Sequence, residues 1–121
     1  MSTTAETGRA GERAAAEYLR RAGYEICALN WRSGRYELDI VARKAGIVHF
    51  VEVKTRSNTD MGLPREYVTP AKQRRLKKTA LYYLCEKQLD CPARFDVAEV
   101  YADSPYSREN VRIEYLENAF E

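Results

Sequence analysis

Tyr36-Glu37-Leu38-Asp39-Ile40-Val41-Ala42-Arg43-Lys44-Ala45-Gly46-Ile47-Val48-His49-Phe50-Val51-Glu52-Val53-Lys54-Thr55-Arg56 is the most informative segment of the chain. It reads as two strands, 36–43 and 47–56, joined by a tight turn at Lys44-Ala45-Gly46. Side chains alternate along a strand. Glu37, Asp39, Val41 and Arg43 therefore share one face of the first strand, and Phe50, Glu52 and Lys54 share one face of the second. A two-residue or four-residue loop sets Lys44 against Ile47, Asp39 against Glu52 and Glu37 against Lys54. A three-residue loop would break that register, so the reading depends on turn type.

Directly opposed strand residues have Cβ atoms about 4.5–5.5 Å apart. Two carboxylates at that spacing repel unless a proton or a cation lies between them. Carboxylate oxygens suit Mg2+ or Mn2+. Lys54, two residues beyond Glu52 on the same face, is placed to orient an attacking water or stabilise a crowded phosphate. Carboxylates, a cation and a lysine on one face are what metal-assisted phosphodiester hydrolysis needs. The plainer reading makes these residues ordinary outward charges, because Glu-x-Lys alone is a weak signal. The run Ile47-Val48-His49-Phe50-Val51 is too apolar for an edge strand with one wet face, and central strands rarely hold unpaired charge.

Before the hairpin, residues 8–22 have helical periodicity, with Gly11, Ala15, Tyr18, Leu19 and Ala22 on one face and Arg9, Arg13, Glu17 and Arg20 on the other. Glu12 flanks the apolar face, either as a boundary residue paired with a base or as a further metal ligand. Gly23 stops the helix. A strand is expected over 24–31. A loop over 57–68 contains Gly62 and Pro64. Thr69-Pro70 is a helix start, N-cap followed by first-turn proline, and the helix is expected to reach residue 87, burying Leu76, Ala80, Tyr83 and Leu84. Gln73 falls on that apolar face and needs a partner: a metal-bound water, a phosphate, or a strand carbonyl. Strands over 93–101 and 111–116, separated by a loop with Pro105, close the chain. The order α-β-β-β-α-β-β predicts an α/β domain with a mixed sheet flanked by helices, over residues 9–121, behind a disordered tail at 1–8.

The chain has 121 residues and a net charge of +2, which neither favours nor excludes nucleic acid. The local distribution says more. Arg65, Lys72, Arg74, Arg75, Lys77 and Lys78 face only Glu66 in their segment, which makes a candidate phosphate-facing patch. Lys72 and Lys77 lie nearest Gln73, and Arg74, Arg75 and Lys78 lie on the outer face, where solvated charge is the ordinary reading. One histidine, His49, points away from the carboxylates, so neither a zinc site nor a histidine base is expected. Cys27, Cys85 and Cys91 are read as reduced thiols, and Asp96 as structural. No apolar run nears the roughly 20 residues that span a bilayer, so a cytoplasmic protein is expected.

Gly11-Glu12, Asn30-Trp31-Arg32, Glu37-Leu38-Asp39-Ile40-Val41-Ala42 and Phe50-Val51-Glu52-Val53-Lys54-Thr55-Arg56, with Gly62, Lys72 and Asn118-Ala119-Phe120, together resemble the YraN-like family of small bacterial proteins. That family is placed within the PD-(D/E)XK, or restriction-endonuclease-like, superfamily and is similar in layout to archaeal Holliday-junction resolvases. The resemblance implies an αβββαβ core with Glu12, Asp39, Glu52 and Lys54 as its acidic and basic site residues. Tyr36 departs from it, because the family usually has glycine there.

The leading expectation is a Mg2+- or Mn2+-dependent nuclease acting on DNA, on branched or flapped structures. Asp39 and Glu52 would bind metal, Glu12 would do so directly or through water, and Lys54 would position the water. Gln73 would assist, and Arg56, Lys72, Arg74, Arg75 and Lys77 would contact the nucleic acid. Cutting two strands calls for a homodimer. The alternatives are a non-catalytic nucleic-acid-binding or protein-interaction module on the same fold, and a structural protein without a nucleic-acid role.

Overall fold

A computed structural model describes residues 4–57, 68–102 and 111–121. In chain order it contains α1 (Thr4–Arg21), β1 (Glu25–Ser33), β2 (Tyr36–Lys44), β3 (Ile47–Ser57), α2 (Pro70–Glu86), β4 (Ala93–Ala102) and β5 (Val111–Phe120). The expected loops with Gly62, Pro64 and Pro105, and Arg65 of the basic segment, lie outside the described residues.

The hairpin forms for the reason its sequence gives. Ala45 and Gly46 both take positive φ, 52° and 79°, as in the two-residue turn whose twist matches a pair of antiparallel strands. Lys44 pairs with Ile47, and the register runs to Ile40↔Val51. β1 adds antiparallel to β2, and β4 and β5 extend the other side, giving one sheet in the order β1-β2-β3-β4-β5. β3 and β4 run parallel, because α2 carries the chain back across the sheet before β4 begins. The sheet is therefore mixed.

Each face carries its own core. Val41, Val48, Phe50 and Val97 pack against Leu76, Ala80 and Tyr83 of α2. Ile40, Ala42, Val51, Ala98 and Val100 pack against Ala15, Ala16 and Leu19 of α1. The strands at the centre are thus buried on both faces, which their near-continuous apolar runs require. Thr69 caps α2 by accepting from Lys72 N at 3.2 Å, with Pro70 in the first turn.

Two boundaries differ from expectation by more than two residues. α1 begins at Thr4, so residues 4–8 of the expected tail are helical; no proline or glycine lies between Thr4 and Glu6 to stop the helix, and Gly8 costs it only about 1 kcal/mol. β5 continues past Leu116 to Phe120. The ladder shifts between Phe95 and Val97, and the Asn118 N–H, at a positive φ of 55°, donates to Asp96 Oδ1 at 2.8 Å. That side-chain bond carries the strand across the irregularity.

Candidate metal centre

Beyond Ile40↔Val51 the β2–β3 ladder stops. The Val53 N–H donates instead to Asp39 Oδ2 at 2.9 Å, so a side chain takes the place of a backbone carbonyl. The ladder consequently includes neither an Asp39–Glu52 nor a Glu37–Lys54 rung. The register expected from the turn holds from Lys44↔Ile47 to Ile40↔Val51, and the pairing expected beyond it is not formed. In β1, Asn30 has a φ of 52°, an uncommon backbone state that asparagine tolerates, and its side chain hydrogen-bonds Glu12 of α1. α1 can lie this close because residue 11 is glycine: a Cβ there would collide with Thr55 Oγ1.

Into this opening come Glu12, Glu37 and Asp39, each of which offers one carboxylate oxygen within 4.8 Å of the other two. Glu52, buried, stands at the edge of the group. Its Oε1 forms an ion pair with Lys72 Nζ and lies 4.0 Å from Lys54 Nζ. Four carboxylates thus meet two lysines, and Arg32, largely exposed, reaches Glu37 from outside at 3.4 Å.

The charge shows in the acidities. Burial first, and then Glu52, push the Asp39 carboxyl up to about 7, against the opposing hydrogen bond from Val53. Burial also raises Glu12, partly offset by Asn30 and reinforced by Glu37. Burial and then Lys72 lower Lys54. For Lys72 burial acts downward, but the hydrogen bond and charge of Glu52 outweigh it and the ammonium form is favoured. A cluster of oxygens with two negative charges in excess of its lysines fits a hard divalent cation. Glu12, Glu37 and Asp39 are the residues that would hold it, with Glu52 alongside.

Not every residue expected at the site is free to serve there. The Gln73 amide Nε2 donates to Val68 O at 3.0 Å, so its visible work is to hold a backbone carbonyl. Arg56 is turned inward onto buried Glu99 and is only 11% exposed. The expected nucleic-acid contact therefore starts from a side chain already committed to an ion pair. The parallel register sets Lys54 beside Glu99, which leaves Arg56 one alternate residue away, and nothing local to 47–56 reveals that neighbour. Arg74 and Arg75 are exposed and, with Ala71 and Lys78, line an open surface depression, while Lys77 is half-buried. Lys72 lies in the acidic site itself rather than on the outer surface. Two contributors are not among the expected site residues: Glu37, two residues before Asp39 on the same face, and Asn30. An asparagine inside a strand pattern is the signal for the second.

A five-stranded mixed sheet with α1 on one face, α2 on the other, and carboxylates and a lysine where two central strands part defines the class: an α/β domain with the restriction-endonuclease-like core layout. Residues 11–100 match the uncharacterised protein family UPF0102, and the chain belongs to it. Similar proteins include a UPF0102 protein of Bacteroides fragilis, 49% identical over 93% of this chain and 90% of its own length. One from Syntrophus aciditrophicus is 44% identical over 100% and 93%, and one from Flavobacterium psychrophilum is 39% identical over 99% and 98%. The family membership agrees with the YraN-like resemblance read from the motifs. Among the described residues no helix is long and apolar enough to cross a membrane.

Proposed function

We propose that the chain is a nuclease that hydrolyses DNA phosphodiester bonds with Mg2+ or Mn2+, on branched or flapped DNA. The observation that carries this reading is the convergence of Glu12, Glu37 and Asp39 within 4.8 Å beside a lysine pair, in a place where burial makes their negative charge costly. When bound, the ion would neutralise charge at the scissile phosphate. The chain's own residues divide the remaining work. Glu12, Glu37 and Asp39 would hold the cation, and Val53 N–H fixes the orientation of Asp39. Lys54 orients the water that attacks phosphorus, with the P–O bond to the leaving strand breaking as the new one forms. Exposed Arg74 and Arg75 meet the nucleic-acid backbone, where contacts position rather than specify. The described residues of a single chain supply one such site, so cutting two strands calls for two copies.

The test is Mn2+ calorimetry on the wild type and an Asp39→Asn/Glu52→Gln variant, with both proteins run on labelled linear, flapped and four-way DNA. Metal binding and cleavage by the wild type, with neither in the variant, is the expected result. Metal binding without cleavage of any DNA would leave a non-catalytic module. No metal binding would overturn the proposal.

A further inference from the structure

Among the described residues, Lys72 is the one member of the basic helix found in the acidic site, and its placement is unusual. It lies in the first turn of α2, its backbone N–H held by the Thr69 hydroxyl at 3.2 Å. That turn contains no acidic residue, although the positive end of a helix favours acids and disfavours lysine. The side chain reaches from there to Glu52 Oε1, the same oxygen that Lys54 Nζ approaches at 4.0 Å. Two ammonium groups thus share one carboxylate oxygen. Glu52 meanwhile stands outside the group formed by Glu12, Glu37 and Asp39, although its charge acts on Asp39 and helps push that carboxyl up.

We infer that Lys72 is a switch residue: it holds Glu52 while the acidic cluster lacks a cation, and is released to a DNA phosphate when a divalent cation draws Glu52 toward the cluster. This rests on the nuclease reading and adds regulation to it. A cation and Lys72 are competing partners for Glu52. Lys54 remains beside Glu52 in either state, so the carboxylate does not lose both of its lysines. The released Lys72 side chain, 31% exposed already, has a route to solvent on a helix whose Arg74 and Arg75 are exposed. Because the cation frees the lysine that DNA takes up, each ligand must tighten the other by the same factor. The protein would then engage DNA firmly only once it holds its cation.

Ca2+ and a labelled flapped DNA test this without turnover. The proteins are the wild type, Lys72→Met and, as a control for loss of one positive charge on the same helix, Lys78→Met. Lys72→Met should bind Ca2+ about tenfold tighter than the wild type, and saturating Ca2+ should tighten wild-type DNA binding by about tenfold. In Lys72→Met that gain should shrink to about two- or threefold, whereas Lys78→Met should keep both the wild-type Ca2+ affinity and the full gain. Lys72→Met binding Ca2+ no tighter than the wild type would overturn the switch and leave the metal centre standing. Absence of Ca2+ binding in all three would overturn the metal centre and the switch together.

Discussion

Two aspartates on the same sheet lie in opposite circumstances. Asp96 of β4 is fully buried and fully engaged. His49 Nδ1 donates to its Oδ2 at 2.6 Å, Tyr115 donates its hydroxyl to the same oxygen, and Asn118 N–H donates to Oδ1. Tyr24 and Tyr115 wall this cluster with their rings, and burial with the adjacent Asp96 raises the Tyr115 hydroxyl far above its ordinary range. Asp39 of β2 accepts from Val53 N–H, and its other close neighbours include Glu52, Glu12 and Glu37. A buried carboxylate surrounded by donors builds structure. One surrounded by carboxylates costs stability until something positive arrives. The sheet tolerates the second kind only at the place where its ladder opens.

The contrast is broken most severely at Asp96. Asp96→Asn turns an amide N–H toward groups that are themselves donors, and leaves buried partners unmatched. A loss of about 4–5 kcal/mol in urea unfolding is expected, with Mn2+ affinity unchanged. A loss below about 0.5 kcal/mol would remove the structural role given to this cluster.

The pH dependence of stability in EDTA comes next. The folded protein holds the Asp39 proton up to about 7, above the unfolded value of about 3.9. The folded state therefore binds this proton more tightly than the unfolded state does. Stability from this group is full below about pH 4, declines as pH rises to about 7, and stays level above it. The decline is at most about 4 kcal/mol, since each pH unit separating the folded and unfolded pKa values is worth about 1.4 kcal/mol. The wild type minus Asp39→Asn difference, measured by urea unfolding at several pH values, should follow this curve. A flat difference would contradict it.

A smaller effect is expected at Gly11. Gly11→Ala should gain about 1 kcal/mol in helix propensity and lose about 1–3 kcal/mol through the clash with Thr55, for a net loss of about 1 kcal/mol. Because the clash pushes α1 off the sheet near Glu12, Mn2+ affinity should fall about threefold, by analogy with the effects of misplaced supporting residues. Thr55→Ala added to Gly11→Ala should restore both. Failure of that rescue would show that helix position does not set the site.

The hairpin is legible in the sequence because its determinants are local: a two-residue turn, strict alternation, and an apolar run too long for an edge. The same holds for Thr69-Pro70 at the start of α2. The structural role of Asp96 is also within reach, although its partners His49 and Tyr115, 47 and 19 residues away, are not. What stays hidden depends on distant pairing. Glu99 meets Arg56 only through the parallel register of β3 and β4, which the crossover sets. Glu37 joins Glu12 and Asp39 only because the ladder opens beyond Ile40, and Lys72 reaches Glu52 only once α2 has docked. Alternation along a strand shows which way a side chain faces, and it does not show where the strand's partner leaves it.

The most direct measurement is the melting temperature of the wild type, Asp39→Asn and Asp96→Asn at pH 8, each in EDTA and in Mn2+. Asp39→Asn should melt several degrees above the wild type in EDTA, reflecting a gain of about 1–3 kcal/mol from removing a buried charge crowded by other carboxylates, and should show no rise with Mn2+. Asp96→Asn should melt below the wild type and keep the Mn2+-dependent rise. If Asp39→Asn instead melts below the wild type in EDTA and still responds to Mn2+, Asp39 is a structural residue like Asp96 and the metal centre is not where its carboxylates converge.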